Sequence, residues 1–321
     1  MVTIEQIEAA AWRIAGVARH TPLERSRWLS TESREVFLKL ECFQVTGSFK
    51  IRGAMSNLTA LADEDQARGI LTVSAGNHGL ALAHAAETLG LEATIVVPET
   101  ASPAKIEAIS RYPVKLIRRG STYDEAERAA REMEREGNSI FVSPYNDSEV
   151  IAGQGTIALE MLNEDSELDA LIVPVGGGGL IAGILVAAKA IHPDIKVYGV
   201  EPAASPTMTR ALEAGHIVEI KEDETIADGL AGNIELGSIT FPLVRDLIDD
   251  MILVGEQSIC QAIAAVARND HTIIEGSAAS GLAALSSEKV KGDRIAVVVT
   301  GRNITLELFA SAIESLSSLR S

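Results

Sequence analysis

Cysteine and positive charge are both scarce in this sequence. The two cysteines, Cys42 and Cys260, are too far apart for a CxxC motif or a zinc-binding spacing, and they offer no disulfide framework. A reducing, cytoplasmic compartment is therefore expected. Lys and Arg number 28 against 45 Asp and Glu, so the formal net charge is −17. A chain this acidic repels nucleic acid and anionic lipid, so we expect neither as a partner.

A secretion signal and an uninterrupted membrane span are also missing. The first residues lack a basic start followed by an apolar core, and they include two glutamates in the first eight positions. The uncharged stretch Leu171 to Ala188 approaches the length of a membrane span, but Pro174 and four consecutive glycines interrupt it. We expect this stretch to form a buried strand, a loop and a helix.

Short β-branched runs alternate with longer helical patterns along the 321 residues, a length typical of two lobes. Several runs are apolar throughout, as in parallel sheets that are buried on both faces. The pattern predicts an α/β fold with parallel-rich sheets flanked by helices. The predicted strands are Val36–Leu40, Leu71–Ser74, Ala93–Val97, Val114–Ile117, Ile140–Ser143, Ala170–Val175, Val197–Val200 and Ile295–Thr300. Predicted helices include Asn77–Leu89, Pro103–Ser110 and Thr122–Glu136.

The distribution of these elements predicts two domains. Residues 69–146 hold four of the strands and three helices, enough for a small domain with its own sheet. Residues 1–68 and 147–321 would form the larger domain, into which the small one is inserted. A cleft between two lobes is a usual place for a ligand.

The first of four motifs that suggest chemistry is TGSFKIRGA, residues 46–54, in which Lys50 opens a helical stretch. The N-terminus of a helix favours anions, so it lowers the pKa of an amine placed there. Such a lysine is suited to forming an imine with a carbonyl compound. In the alternative interpretation, Ser48 caps the helix and Lys50 is a solvated residue of the first turn.

The second motif is SAGNHGLALA, residues 74–83, in which a strand runs into Gly76 and then a helix of small residues. Backbone N–H groups in such a turn could hold a carboxylate, and Asn77 adds a side-chain donor. The alternative is a tight connection that Asn77 caps, with His78 in a structural role.

The third motif is VPVGGGGLIAG, residues 173–183, with four successive glycines between a strand and a helix. We find no packing requirement for four residues without side chains, whereas close approach of a ligand to bare N–H groups needs them. The spacing matches neither a Walker loop nor a dinucleotide fingerprint, so a lone phosphate is favoured. A flexible linker is the alternative, which the apolar flanks disfavour.

The fourth motif is VVVTGRNITLELF, residues 297–309, where a strand ends at Thr300. A hydroxyl group at the carboxyl end of a strand can meet a ligand in the crevice of an α/β sheet. By itself, however, this motif is equally consistent with an ordinary strand end.

Together the four motifs resemble those of fold-type II pyridoxal-phosphate enzymes, in the serine/threonine dehydratase and serine racemase group. Similar segments also include HTPLERS near the start, IAGQGTIALE at 151–160 and ETIADGL at 224–230, so the resemblance covers nearly the whole chain. It implies a two-lobed fold like that of tryptophan synthase β, with pyridoxal 5′-phosphate as cofactor. It also implies β-elimination from a 3-hydroxy amino acid to give a 2-oxo acid and ammonia, in a homodimer or homotetramer.

The resemblance implies roles for individual residues as well. Lys50 would carry the cofactor and act as the catalytic base, Phe49 would lie against the ring, and Thr300 would face the ring nitrogen. Asn77 would hydrogen-bond the 3′ oxygen. The residues that would hold the phosphate are Gly176, Gly177, Gly178 and Gly179. The residues that would bind the substrate are Ser74, Ala75, Gly76, Asn77 and His78, with Tyr145 near its side chain.

Several residues depart from the pattern of the relatives. Ala75 stands where serine racemases carry a proton-donating serine, which favours dehydration over racemisation. Arg302 stands in a segment that often reads SGGN in relatives, and it could pair with a second substrate carboxylate or point to solvent. Relatives with a divalent-cation site use a Glu and an Asp six residues later. Glu201 is present here but its partner is Thr207, so a cation site at Glu201 stays open.

Other activities of the same fold stay open too. The substrate could be a specialised one, such as phenylserine, 3-hydroxyaspartate or an intermediate of hydroxyectoine breakdown. Serine racemisation and β-replacement, as in cysteine synthases, are further alternatives. A non-catalytic binding protein is disfavoured because Lys50 is intact.

Overall fold

Two sheets form the framework of the molecule, seen in a computed structural model that describes residues 2–137 and 139–317, without the side chains of residues 124 and 315–317. The strands are β1 (Leu23–Arg25), β2 (Glu35–Lys39), β3 (Ile70–Val73), β4 (Ala93–Val97), β5 (Lys115–Arg118), β6 (Ile140–Phe141), β7 (Ala170–Pro174), β8 (Lys196–Pro202), β9 (Asp250–Val254) and β10 (Arg294–Val298). The larger sheet has the order β1-β2-β10-β7-β8-β9, and the smaller has the order β5-β4-β3-β6. Strand β1 pairs antiparallel with β2, whereas the other strand pairs of both sheets are parallel within the described residues.

Helices connect and cover these strands. They are α1 (Ile4–Ile14), α2 (Lys50–Ala60), α3 (Asp63–Gln66), α4 (Asn77–Leu89), α5 (Pro103–Ser110), α6 (Tyr123–Glu136), α7 (Ser148–Glu164), α8 (Gly179–Ile191), α9 (Thr207–Ala214), α10 (Thr240–Leu247), α11 (Glu256–Asn269), α12 (Gly276–Ala283) and α13 (Leu306–Ser317). Polar side chains determine where several of them begin. The Asp147 carboxylate accepts hydrogen bonds from the N–H groups of Glu149 and Val150, and Thr122 caps α6. Such caps satisfy donors that a helix start leaves unpaired.

The predicted α/β fold with parallel-rich sheets is confirmed. All eight predicted strands occur, with ends that differ by two residues at most. Two strands are found that the sequence did not predict. Strand β1 has only three residues, none of them buried, and β9 begins at Asp250 directly after a second aspartate. Strand β1 lacks the apolar run by which the other strands were recognised, whereas β9 contains one, Met251–Val254, that the prediction did not include.

The four strands of the smaller sheet all lie between residues 70 and 141, and the other six lie outside that range. The domain limits at residues 69 and 146 stay a prediction. Residues 1, 138 and 318–321, which that prediction includes, lie outside the described part of the chain.

The stretch from Leu171 to Ala188 forms a buried strand, a loop and a helix, as predicted. Ile172 and Val173 of β7 are fully buried, as are Ile181 and Leu185 of α8. Helix α8 packs on α7 within the main hydrophobic core. Within residues 2–137 and 139–317, no helix has the length and apolar character that a bilayer crossing needs.

Candidate active site

Direct contacts join the first, second and fourth motifs, which are far apart in the chain. The glycine loop of the third packs against Tyr145, which follows the Pro144 whose carbonyl accepts from Lys50. Ser48 forms an antiparallel bridge with Gly301, and the N–H of Phe49 donates to the Thr300 carbonyl at 3.0 Å. These contacts join the first motif to the fourth. The Asn77 side chain then contacts Asn303 at 2.6 Å, which joins the second motif to the fourth.

Lys50 is the first residue of α2, and its amine points into the molecule. The Nζ atom donates to the Pro144 carbonyl at 2.8 Å and lies 5.2 Å from the centre of the Phe49 ring. Burial lowers the pKa of Lys50 to about 8, and the nearby negative charge of Glu275 opposes that shift. The alternative in which Ser48 caps this helix is wrong, because Ser48 is buried and no side chain caps α2.

The first turn of α2 is anchored by an ion-pair network, which the sequence did not indicate. Arg52 is 1% exposed and donates to both oxygens of Glu41 at 2.8 Å. It also donates to Glu160, at 2.6 and 2.8 Å, and Glu160 in turn pairs with buried Lys39 at 2.6 Å. Hydrogen-bonded partners on every side make a buried charge tolerable. The network therefore holds the helix that carries Lys50 in a defined position.

The glycine loop between β7 and α8 is more tightly packed than the sequence suggested. A Cβ atom at Gly177 would lie 2.5 Å from the ring carbons of Tyr145, and one at Gly179 would lie 2.9 Å from Tyr145 Cα. Gly178 has φ +90°, and a Cβ there would lie 2.8 Å from Met208. The expectation that packing places no demand on these glycines is wrong, because neighbouring side chains already fill the space where their own would be.

The same loop leaves N–H groups available at the start of α8. Gly178 occupies the N-cap position, so the first backbone N–H groups of the helix have no partner within the helix. The helix field at this end also favours an anion. Thr240 fixes the loop from the side by donating from Oγ1 to the Gly177 carbonyl at 2.8 Å.

Residues 74–78 connect the end of β3 to the start of α4. The Ser74 hydroxyl accepts from the N–H of Gly76 at 3.1 Å. The interpretation of Asn77 as a helix cap is wrong, since Gly76 occupies the N-cap and the Asn77 amide points away to Asn303. A turn of this kind followed by a 13-residue helix presents backbone donors for a carboxylate.

His78 is buried and neutral in this loop. Burial and the nearby Lys50 amine lower the pKa of His78 to about 3. Its Nε2 atom lies 3.1 Å from Thr72 Oγ1, whose own proton goes to the Val142 carbonyl at 2.7 Å. Thr72 can therefore only accept from the imidazole, which places the His78 proton on Nε2. A neutral imidazole cannot pair with a substrate carboxylate as a cation would.

Glu275, immediately before α12, is a site residue that the sequence analysis missed. Its carboxylate is nearly buried and accepts from Asn77 Nδ2 at 2.8 Å and from the N–H of Asn303 at 3.1 Å. Burial and the negative charge of Asp228 raise the pKa of Glu275 to about 8. The only signal in the sequence is an acidic residue directly after the apolar pair Ile273 and Ile274.

The arrangement fits the cofactor that the resemblance implies. Thr300 Oγ1 is buried and has no hydrogen-bond partner within residues 2–137 and 139–317, so a polar ligand atom could satisfy it. The lowered pKa of the Lys50 amine suits it to form an imine with a carbonyl group. The unpaired N–H groups at the start of α8 suit a phosphate.

Tyr145 and Arg302 have surroundings that limit their roles. The Tyr145 ring packs against Gly177, and its hydroxyl accepts from the N–H of Glu235 at 2.9 Å. Tyr145 therefore forms a wall of the glycine loop. Arg302 is exposed, with its guanidinium 5.7 Å from the centre of the Phe43 ring. Of the two alternatives for Arg302, the structure favours the one in which its side chain points to solvent.

Glu201 does not fit a cation site. Its carboxylate is fully buried and accepts from the N–H groups of Met208 and Thr209, at 2.7 and 2.9 Å, and from two threonine hydroxyls at the start of α9. Both oxygens are thus already occupied by donors. The described residues also contain no group of three or more His, Cys, Asp or Glu that could hold a metal ion.

Comparison with known proteins agrees with this geometry. A family model described as pyridoxal-phosphate dependent enzyme matches residues 14–301. An L-threonine ammonia-lyase of Thermotoga maritima is 39% identical over 96% of this chain and 77% of its own. A serine racemase of Oryza sativa subsp. indica is 38% identical over 94% of this chain and 91% of its own. The structure of maize serine racemase superimposes with a TM-score of 0.92 at 36% identity, covering 100% of this chain and 99% of that one. The resemblance predicted from the four motifs is confirmed.

Proposed function

The chain belongs to the family of pyridoxal-phosphate-dependent enzymes, and from this premise we propose that it is a dehydratase, or ammonia-lyase, acting on a 3-hydroxy amino acid of the threonine and serine type. The products are a 2-oxo acid and ammonia. The observation that carries the proposal is the Lys50 amine at the start of α2, which points inward to the Pro144 carbonyl and has a pKa of about 8.

The residues around Lys50 are proposed to hold the cofactor as follows. Lys50 attaches it covalently, Phe49 lies against its ring, and Asn77 donates to its 3′ oxygen. Thr300 offers its unpartnered hydroxyl to the ring nitrogen. The residues that hold the phosphate are Gly176, Gly177, Gly178 and Gly179. When bound, the cofactor supplies an electron sink for the negative charge that develops at Cα.

The protein itself binds the substrate and moves its proton. The backbone N–H groups of residues 74–78 hold the substrate carboxylate at the start of α4. The Lys50 amine, free while the substrate is bound, takes the proton from Cα. A pKa of about 8 keeps a substantial fraction of this amine neutral at physiological pH, which an ordinary lysine would not achieve.

The atoms of the overall reaction balance without any further reactant than water. The Cα–H bond and the bond between Cβ and its hydroxyl break, and the proton and hydroxide leave as water. The released enamine tautomerises to an imine, and water then hydrolyses the imine to the 2-oxo acid and ammonia. No oxidant or reductant is consumed.

Ala75 supports net dehydration with little racemisation. Racemisation needs a second acid or base on the opposite face of the cofactor, where the methyl group of Ala75 has no proton to give. The neutral His78 imidazole in the same loop already has its proton directed to Thr72. Serine racemase therefore stays the less favoured alternative.

A panel of substrates tests the proposal. The purified protein is supplied with L-threonine, L-serine, phenylserine and 3-hydroxyaspartate, and 2-oxo acid and ammonia are measured together. We expect equimolar release of both products from at least one of them. Formation of the D-isomer as fast as the 2-oxo acid would contradict the proposal of little racemisation, and absence of 2-oxo acid from the whole panel would refute the dehydratase assignment. Cysteine formation from O-acetylserine and sulfide would instead indicate β-replacement.

We also propose that the enzyme acts in the cytoplasm as a homodimer or homotetramer. Two free cysteines support a reducing compartment. Light scattering after size-exclusion chromatography tests the assembly, since a mass of 34.0 kDa would show a monomer. Cell fractionation tests the location.

A further inference from the structure

Four residues from four separate segments form a continuous hydrogen-bonded chain at the edge of the site. Asn303 Nδ2 donates to the Thr46 carbonyl at 3.0 Å and to Asn77 Oδ1 at 2.6 Å. Asn77 Nδ2 then donates to Glu275 Oε1 at 2.8 Å. The other Glu275 oxygen accepts from the backbone N–H of Asn303 at 3.1 Å, which closes the chain on itself.

The chemistry of the two ends fixes the direction of every bond. A backbone carbonyl can only accept, so Asn303 must turn its NH₂ group to Thr46, and the second proton of that group meets Asn77 Oδ1. Asn77 must then turn its own NH₂ group to Glu275. A carboxyl group can accept at both oxygens whether or not it holds a proton, so this orientation does not depend on the charge of Glu275.

This orientation leaves one proton of Asn77 Nδ2 for a ligand. The group has two protons, and Glu275 accepts one of them. A ring oxygen of the cofactor is an acceptor and needs a donor, whereas the opposite orientation of Asn77 would present a second acceptor to it. The correct orientation of Asn77 is therefore a condition for the contact proposed above.

Glu275 is buried although its nearest hydrogen-bond donors carry no charge, and besides these bonds its negative charge raises the pKa of the nearby Lys50 amine. Burying a carboxylate carries a desolvation cost, and the two hydrogen bonds to this one come from neutral amide groups. Gly301 leaves room for the Glu275 carboxylate, because a Cβ atom at residue 301 would overlap it. A residue kept at such a cost is commonly part of a functional site.

We propose that Glu275 is a positioning residue, which together with Asn303 fixes the Asn77 amide so that its free N–H faces the 3′ oxygen of pyridoxal phosphate. This inference rests on the proposed function. It adds that the contact between Asn77 and the cofactor depends on two residues that need not touch the cofactor themselves.

The test is the variant Glu275→Gln, which keeps the shape of the side chain and replaces one acceptor with a donor. One of the two N–H groups that point at residue 275 then meets a donor instead of an acceptor, so the Asn77 amide is held less firmly, by Asn303 alone or beside an unpaired N–H. We expect the dissociation constant for pyridoxal phosphate to rise about tenfold or more. The visible absorption maximum of the bound cofactor should shift, while the melting temperature of the cofactor-free protein changes no more than in the control.

The matched control is Glu256→Gln. Glu256 also accepts two hydrogen bonds, from Thr225 Oγ1 at 2.6 Å and the N–H of Ile226 at 2.8 Å, at the start of α11 outside the site. This variant should bind the cofactor as the wild type does. A second test variant is Asn303→Asp. Residue 303 is exposed, so this variant should fold even if Glu275→Gln does not. Its carboxylate attracts the Asn77 NH₂ group away from Glu275, so the same spectral shift and weaker binding are expected.

The outcomes separate the two proposals. A wild-type protein that binds no pyridoxal phosphate would refute the proposed function. A wild type that binds it, with Glu275→Gln or Asn303→Asp folded and unchanged in affinity and absorption maximum, would refute only the role of Glu275. An equal change of cofactor affinity and absorption maximum in Glu256→Gln and Glu275→Gln would also overturn the inference, because the effect would then come from general destabilisation.

Discussion

The contact between Gly177 and Tyr145 allows a direct test of how the glycine loop is held. In the variant Gly177→Ala, the new methyl carbon would lie 2.5 Å from Tyr145 Cγ and Cδ1. That is roughly 1 Å short of an ordinary carbon–carbon contact. The ring cannot easily move away, because its hydroxyl is bonded to the N–H of Glu235 and its backbone lies against Gly179.

The overlap allows the loss of folding stability in Gly177→Ala to be estimated. Overpacking of a well-packed region typically costs about 1–3 kcal/mol. If the loop moves to relieve the strain, the N–H groups at the start of α8 no longer converge on the phosphate, and cofactor affinity should fall about tenfold for each 1.4 kcal/mol. Lys50 is hydrogen-bonded to the carbonyl of Pro144, which precedes Tyr145, so the activity of the loaded enzyme should fall as well.

Urea unfolding of the cofactor-free protein isolates the packing effect from phosphate binding. We expect a lower midpoint for Gly177→Ala at an unchanged dependence on urea concentration. In a Tyr145→Ala background the ring is gone, so the same glycine substitution should cost much less, with a coupling energy of about 1–3 kcal/mol. The control is Gly255→Ala, since a Cβ atom at Gly255 has nothing within 4 Å, so this variant loses only the preference for Gly over Ala at the N-cap of α11.

Two results would refute this reasoning. One is a Gly177→Ala protein as stable as the Gly255→Ala control. The other is an equal cost of Gly177→Ala with and without the Tyr145 ring, which would show that the ring is not what restricts the loop.

Three further predictions follow from the site. Lys50→Ala should lose both 2-oxo acid release and the visible band of bound cofactor, and a retained band would contradict attachment at this residue. Because burial lowers the pKa of Lys50 to about 8, the rate of cofactor binding to the empty enzyme should rise about tenfold per pH unit below pH 8 and level off above it. A rate that keeps rising up to pH 10 would indicate an ordinary lysine. Since donors of α9 occupy the Glu201 carboxylate, activity should survive exhaustive removal of divalent cations by a chelator, and restoration by Mg²⁺ after a loss would disprove this.

The regular elements were largely predictable because their signals are local. The apolar runs that became β7 and β8 are buried on both faces, and such runs stand out in a linear sequence. The missed strand β1 lacks that signal and is recognised only through its pairing with β2, whereas β9 has an apolar run of four residues that the prediction did not include.

The site shows the same division. Lys50, Asn77, the four glycines and Thr300 each lie in a short motif, so the sequence alone was enough to predict them as site residues. Glu275 was not, because its partner Asn77 is 198 residues away and nothing near it in the sequence marks it as special. Arg52 was missed for the same reason, since its role appears only once Glu41 and Glu160 surround it.

The sequence by itself determined which chemical groups are present and in which kind of local element each one stands, since helix starts, strands and glycine turns depend on neighbouring residues. Only the tertiary structure decided which way Asn77 faces, that Tyr145 fills the space beside Gly177, and that Glu201 is already occupied by hydrogen-bond donors. The physical reason is that orientation, steric overlap and hydrogen-bond saturation are properties of pairs of atoms from distant segments, and such pairs come into being only when the chain packs.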